Sequence, residues 1–160
     1  MTLSSKRVVA LVFAAVGLIV GAWAAAAPRS FYDTFPLPGH PWVEALPAYN
    51  EHLTRDVGEL YLAVAVVSLW AGLRRSDELL RCVGAAWLVF GLPHLAFHAA
   101  HLGVYSRFDA VANAVVLGAM VLLAAALLVP VRRSRPSEPS TPAPGLRPAA
   151  PPRRSSALRR

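Results

Sequence analysis

Three of the chain's five histidines, His94, His98 and His101, stand within eight positions of the stretch "GLPHLAFHAAHLGVY". At about 100° per residue on an α-helix they fall inside an arc of about 60°, on one side of the segment. Imidazoles four residues apart can both reach one ion. His94 and His98, with His101 as a third donor, therefore form a candidate metal set of the kind that Zn, Fe or Cu accepts. The stretch "NEHLTRDVGELYLAV" repeats the four-then-three spacing in His52, Asp56 and Glu59. "FDAVANAV" adds Asp109 and Asn113, also four apart. In this reading His52, Asp56 and Glu59 oppose the histidines to complete a ligand or cofactor set, and Asp109 and Asn113 orient the rings from behind.

Several chemistries fit such a cluster. One is a transition metal ion. A second is haem held by two histidines from facing helices, although no attachment motif demands it. A third is a proton-active pocket for a quinone headgroup or another lipid-borne substrate, open to redox use, in which neutral imidazoles beside carboxylates relay protons. The alternative is structural pairing, such as Asp56 with Arg55 or a histidine with a carboxylate across helices, in a non-catalytic accessory or scaffold subunit that engages a partner membrane protein. The sequence holds no H-E-x-x-H, no C-x-x-C and no E-x-x-H pair, so no familiar catalytic residue is assigned. The lone Cys82 excludes an internal disulfide and thiol–disulfide exchange between paired cysteines.

The elements that must position these residues are apolar. The chain has 160 residues, is 56% hydrophobic and has a mean hydropathy of +0.46, beyond an ordinary soluble domain. Four runs approach the ~20 apolar residues that a bilayer crossing needs, at about 8–27, 57–73, 82–103 and 110–129. The expected fold is an all-α bundle of four transmembrane helices over residues 1–130. Asn50 suits the N-cap of the second helix. Pro93 removes a backbone donor beside His94, and Gly58, Gly84, Gly91 and Gly118 permit close helix approach. Trp70 and Trp87 suit lipid or core contacts.

Charge orders the spans. Residues 131–160 carry eight arginines and one acid, Glu138, whereas the rest of the chain is balanced at eight of each sign. The net charge of +7 therefore belongs to a Pro- and Ser-rich tail that is expected to be disordered in the cytoplasm. No aromatics interleave with its arginines, which argues against nucleic acid and for anionic lipid headgroups. Lys6, Arg7, Arg74, Arg75, Arg81 and the tail lie on one side; Arg29, Arg55 and Arg107 lie on the other. By the positive-inside rule both termini are cytoplasmic, and the three polar stripes gather in the outer half of a bacterial plasma membrane. Small residues before Pro28 also fit a cleavable signal peptide, though the length of the run favours an uncut helix. The long connection "PRSFYDTFPLPGHPWVEALPAYN" is either an ordered interfacial cap, with Phe31, Tyr32, Trp42 and Tyr49 in contact, or a tether.

Taken together, "YNEHLTRDVGELYLA" and "GLPHLAFHAAHL" resemble a family of small actinobacterial integral membrane proteins with DoxX-like spans. The resemblance covers roughly residues 8–129 and implies a bacterial plasma membrane. Some DoxX relatives are associated with quinone-linked sulfur oxidation. No residue here matches that catalysis, so the resemblance carries no reaction.

Overall fold

A computed structural model describes residues 1–46 and 48–131. It is all-helical apart from one small hairpin, with four helices long and apolar enough to cross a membrane. These are α1 (Leu3–Ala26), α3 (Glu51–Leu73), α4 (Asp77–Ala100) and α5 (Arg107–Leu128). Between α1 and α3 come a short helix, α2 (Pro28–Thr34), and a two-residue antiparallel pair, β1 (Pro36–Leu37) with β2 (His40–Pro41). Gly39 makes the tight turn between those strands at φ 86°, which a residue without Cβ adopts cheaply. The long connection is thus an ordered cap. The tail expected to be disordered lies, beyond Val131, outside the described residues.

Each long helix starts upstream of its apolar run. Thr2, Asn50, Ser76 and Ser106 each accept a hydrogen bond from the backbone N–H three residues on. The apolar runs from 57, 82 and 110 are therefore preceded by helical turns that begin at Glu51, Asp77 and Arg107, the first capped by Asn50 as its residue type suggested, because capping, rather than hydropathy, decides where the first turn forms. At the other end, α4 stops at Ala100 and Leu102–Val104 form a 3-10 turn, so the expected third span is shorter at its end than 103. The helix runs unbroken through Pro93.

The helices pack as two antiparallel pairs, α1 with α3 and α4 with α5. Small residues set the first contact: a Cβ on Gly58 would lie 2.5 Å from the backbone nitrogen of Ala25. Gly84 does the same for the second pair, where a Cβ would meet the Ala124 carbonyl at 2.7 Å. Gly118, expected at a close contact, faces open space. Between the pairs the core is Ala10, Phe13, Ala71, Leu80, Val83, Trp87, Ala124 and Leu127. Phe13 stacks on Trp87 at 4.6 Å, and the Trp87 indole N–H donates to Ser68 Oγ at 2.9 Å. Trp87 is therefore a core residue, whereas Trp70 is exposed and covered on one side by the Arg74 guanidinium.

Outward faces are apolar. Ile19, Leu60, Val89 and Leu122, one from each long helix, are each 67–78% exposed. A belt of this kind around four helices is covered by lipid tails at no cost, and in water it would aggregate.

Candidate functional site

The two ends of the bundle are built differently. At the end bearing the start of α1 and the end of α5, Lys6 is fully buried and joins three elements. Its Nζ donates to Asp77 Oδ1 at 2.5 Å and to the Leu127 carbonyl at 2.9 Å. Asp77 in turn accepts from the Val131 backbone N–H at 3.3 Å. Arg7 adds a bond to the Gly72 carbonyl at 2.8 Å. All four helices are tied there.

At the opposite end the pairs separate under the cap and enclose a cavity of about 350 Å³. That volume lies within the range of small-molecule sites, about 300–1,000 Å³. Its walls are mostly apolar: Val16 and Val20 from α1, Val57 and Tyr61 from α3, Leu117 and Met120 from α5. Phe31, Phe35, Trp42 and Leu46 close it from the cap. His94, His98 and Asn113 supply most of its polar chemistry. A second apolar groove of about 180 Å³, along Leu60, Val64 and Phe90 between α3 and α4, shares Val57 and Tyr61 with the cavity.

The polar side chains are anchored in a chain of bonds. His98, 8% exposed, places Nδ1 3.2 Å from Asn113 Nδ2 and 3.2 Å from the Tyr105 hydroxyl. Tyr105 donates to the Trp42 carbonyl at 2.9 Å, linking the turn after α4 to the cap. Burial pushes the Tyr105 phenol above its ordinary range, so it keeps its proton at neutral pH. His94 stacks on Phe90 at 4.9 Å and meets His98 edge-on at 4.6 Å. Its ring makes no hydrogen bond among the described residues.

Asp109 has a different task from the one its spacing suggested. Its Oδ1 accepts from His40 Nδ1 at 2.8 Å and from the Trp42 indole N–H at 3.1 Å, while Ser106 Oγ donates to Oδ2 at 2.6 Å. It holds the cap down and touches neither His94 nor His98. Only Asn113 reaches the histidines.

The remaining expected ligands are elsewhere. His101 follows the last residue of α4, lies exposed over Phe97 at 4.2 Å and bonds the Phe97 carbonyl at 2.7 Å. His52 and Asp56 pair with each other at 3.4 Å with side chains 88% and 46% exposed. Glu59 is also exposed. Arg55 pairs with Glu51 at 2.8 Å, and also bonds the Ala25 carbonyl, so the expected Arg55–Asp56 pairing gives way to two i, i+4 pairs. On α3 the cavity is lined by Leu53, Thr54, Val57 and Tyr61, a face centred about 150° around the axis from the stripe of His52, Asp56 and Glu59. Among the described residues no three His, Cys, Asp or Glu side chains group closely enough for one metal ion. His94 and His98 stand one turn apart on a single helix, so they cannot take opposite faces of a haem iron.

Sequence reasoning missed the cap's contribution. His40, Trp42 and Tyr105 complete the polar chain but carry no helical spacing relative to His98 that would mark them. The seven-residue step from His98 to Tyr105 is a weak sign, since the chain leaves the helix between them.

No protein-family model, curated protein or solved structure matches the chain.

Proposed function

We propose that the protein is a polytopic membrane protein that binds a lipid-soluble small molecule, with a ring-shaped quinone-like headgroup and an apolar tail, in the cavity beneath its cap. The cavity carries this reading: about 350 Å³ of mostly apolar space in a bundle otherwise packed by small residues, with polar atoms concentrated at His94, His98 and Asn113. A headgroup is accommodated at those side chains. The groove along Leu60, Val64 and Phe90, between α3 and α4 and continuous with the cavity at Val57 and Tyr61, takes the tail. Within the same proposal the cap lies on the outer face of a bacterial plasma membrane and both termini are cytoplasmic. The bias of Lys and Arg toward the opposite end supports that orientation. Kinship with DoxX-like proteins is part of this reading. A resident metal ion or haem is left out of it, for the geometric reasons given above.

Equilibrium binding to the full chain in lipid nanodiscs tests the proposal. Decyl-chain hydroquinone or benzoquinone is expected to bind saturably, one per protein, above its partition into empty nanodiscs. Leu117→Trp, which fills the cavity, is expected to abolish that binding while the thermal transition is retained. Binding that survives the filled cavity, or none in the unmodified protein, overturns it.

A further inference from the structure

Asn113 is 1% exposed and lines the cavity, and its Oδ1 is a buried acceptor that meets no donor. Native proteins rarely leave such an atom unpaired unless something else supplies the bond. The other amide atom, Nδ2, faces His98 Nδ1 at 3.2 Å. Since Tyr105 approaches the same ring nitrogen, Nδ1 of His98 is fully engaged by protein. Its Nε2 has no hydrogen-bond partner among the described residues.

These two side chains form a matched pair. With Nδ2 donating to Nδ1, the imidazole proton sits on Nε2, the Tyr105 hydroxyl gives its one proton to the Trp42 carbonyl and gains no bond from the ring, and the free atoms are one acceptor, Asn113 Oδ1, and one donor, His98 Nε2–H. If the amide turns over, Nδ1–H donates to Oδ1. The free atoms then become one donor, Asn113 Nδ2–H, and one acceptor, His98 Nε2. Either arrangement leaves one donor and one acceptor, which a group that donates and accepts at one oxygen can serve together. A hydroxyl does both. A quinone carbonyl or an ether oxygen only accepts and leaves one protein atom unpaired.

The surroundings narrow the carrier of that hydroxyl. The His94 ring lies over Phe90 at 24°, and Tyr61 meets Phe90 edge-on at 5.0 Å, so flat aromatic surfaces stand beside the polar pair. Phe97 and Trp42 line the same cavity. Aromatic rings pack favourably against such walls in stacked or edge-on contact.

Resting on the proposal that a tail-bearing small molecule fills this cavity, we infer that the site recognises it through an aromatic hydroxyl gripped by Asn113 and His98. The site therefore selects a hydroquinone or phenol over the corresponding quinone or ether.

The test is a series of four compounds with the same decyl tail, measured under anaerobic conditions on the full chain in nanodiscs and corrected for partition into empty discs. The series comprises the p-hydroquinone, the 4-substituted phenol, the hydroquinone dimethyl ether and the p-benzoquinone. The hydroquinone is expected to bind at least about tenfold more tightly than the ether and the quinone, since a buried group left unpaired costs that much or more. The phenol separates the two sources of the hydroxyl: affinity matching the hydroquinone shows that one hydroxyl suffices. A phenol no tighter than the ether, with the hydroquinone still tight, assigns the site to dihydroxy rings. Asn113→Leu should bring the four compounds within about twofold of one another. The comparison within the unmodified protein stands even if that variant fails to fold. Equal binding of the hydroquinone, ether and quinone overturns the inference and leaves the cavity reading in place. Absence of specific binding by all four, with Leu117→Trp indistinguishable from the unmodified protein, overturns both.

Discussion

The two ends of this bundle solve the same problem in opposite ways. Four helices of 22–24 residues must converge at both ends, and each end needs polar groups to fix their relation. At the Lys6 end a buried cation gathers an acid and a carbonyl from two other helices, and every polar atom of the group is spent on protein. At the cap end the polar atoms are only partly spent: Asn113 Oδ1 and His98 Nε2 are left over, on two residues that line the cavity. A saturated network holds a structure together. An unsaturated one beside a cavity awaits a ligand.

If the contrast is right, the largest effect belongs to Lys6. Lys6→Met leaves Asp77 without its cation and frees the Leu127 carbonyl, and should lower the stability of the bundle by about 2–4 kcal/mol in a denaturation series in detergent. The double change Lys6→Met with Asp77→Leu should recover much of that loss, because it removes both desolvated charges together. Ligand affinity at the cap end should change little in the double variant. A smaller effect is expected at the cap. Asp109→Ala removes the acceptor shared by His40 and Trp42, and should cost about 1–2 kcal/mol. Hydrogen exchange should quicken over residues 36–46 and stay slow around Trp87. Uniform quickening along the bundle would mean that the two ends are one cooperative unit and would erase the distinction.

Much of this was legible in the sequence, and the failures have definite causes. Hydropathy located all four spans, but it marks lipid contact, whereas Asn50, Ser76 and Ser106 fix where the helices begin. Asn50 was legible as the cap that starts α3, whereas hydropathy alone placed the starts of α4 and α5 several residues late. For the site, the spacing of His94, His98 and of Asn113 pointed to residues that do meet. The same reasoning failed for His52, Asp56 and Glu59 because periodicity defines a face without saying which neighbour it turns toward. The small residues Gly58 and Ala65 press α3 against α1, and that packing rotates the acidic stripe outward. His101 failed because α4 ends before it. His40 and Trp42 of the cap and Tyr105 of the turn after α4 were invisible to helical spacing, since all three lie outside the long helices.

A ligand is expected to bind beneath the cap and nowhere else in the bundle. Photolabelling with a decyl-tailed benzophenone, competed by excess decyl hydroquinone and mapped by mass spectrometry, tests it directly. Competed adducts are expected on Tyr61, Phe97 and Met120, around the cavity. Competed adducts at Leu80 and Leu127, or labelling confined to outward residues such as Val89 and Leu122 and unaffected by competitor, would contradict it.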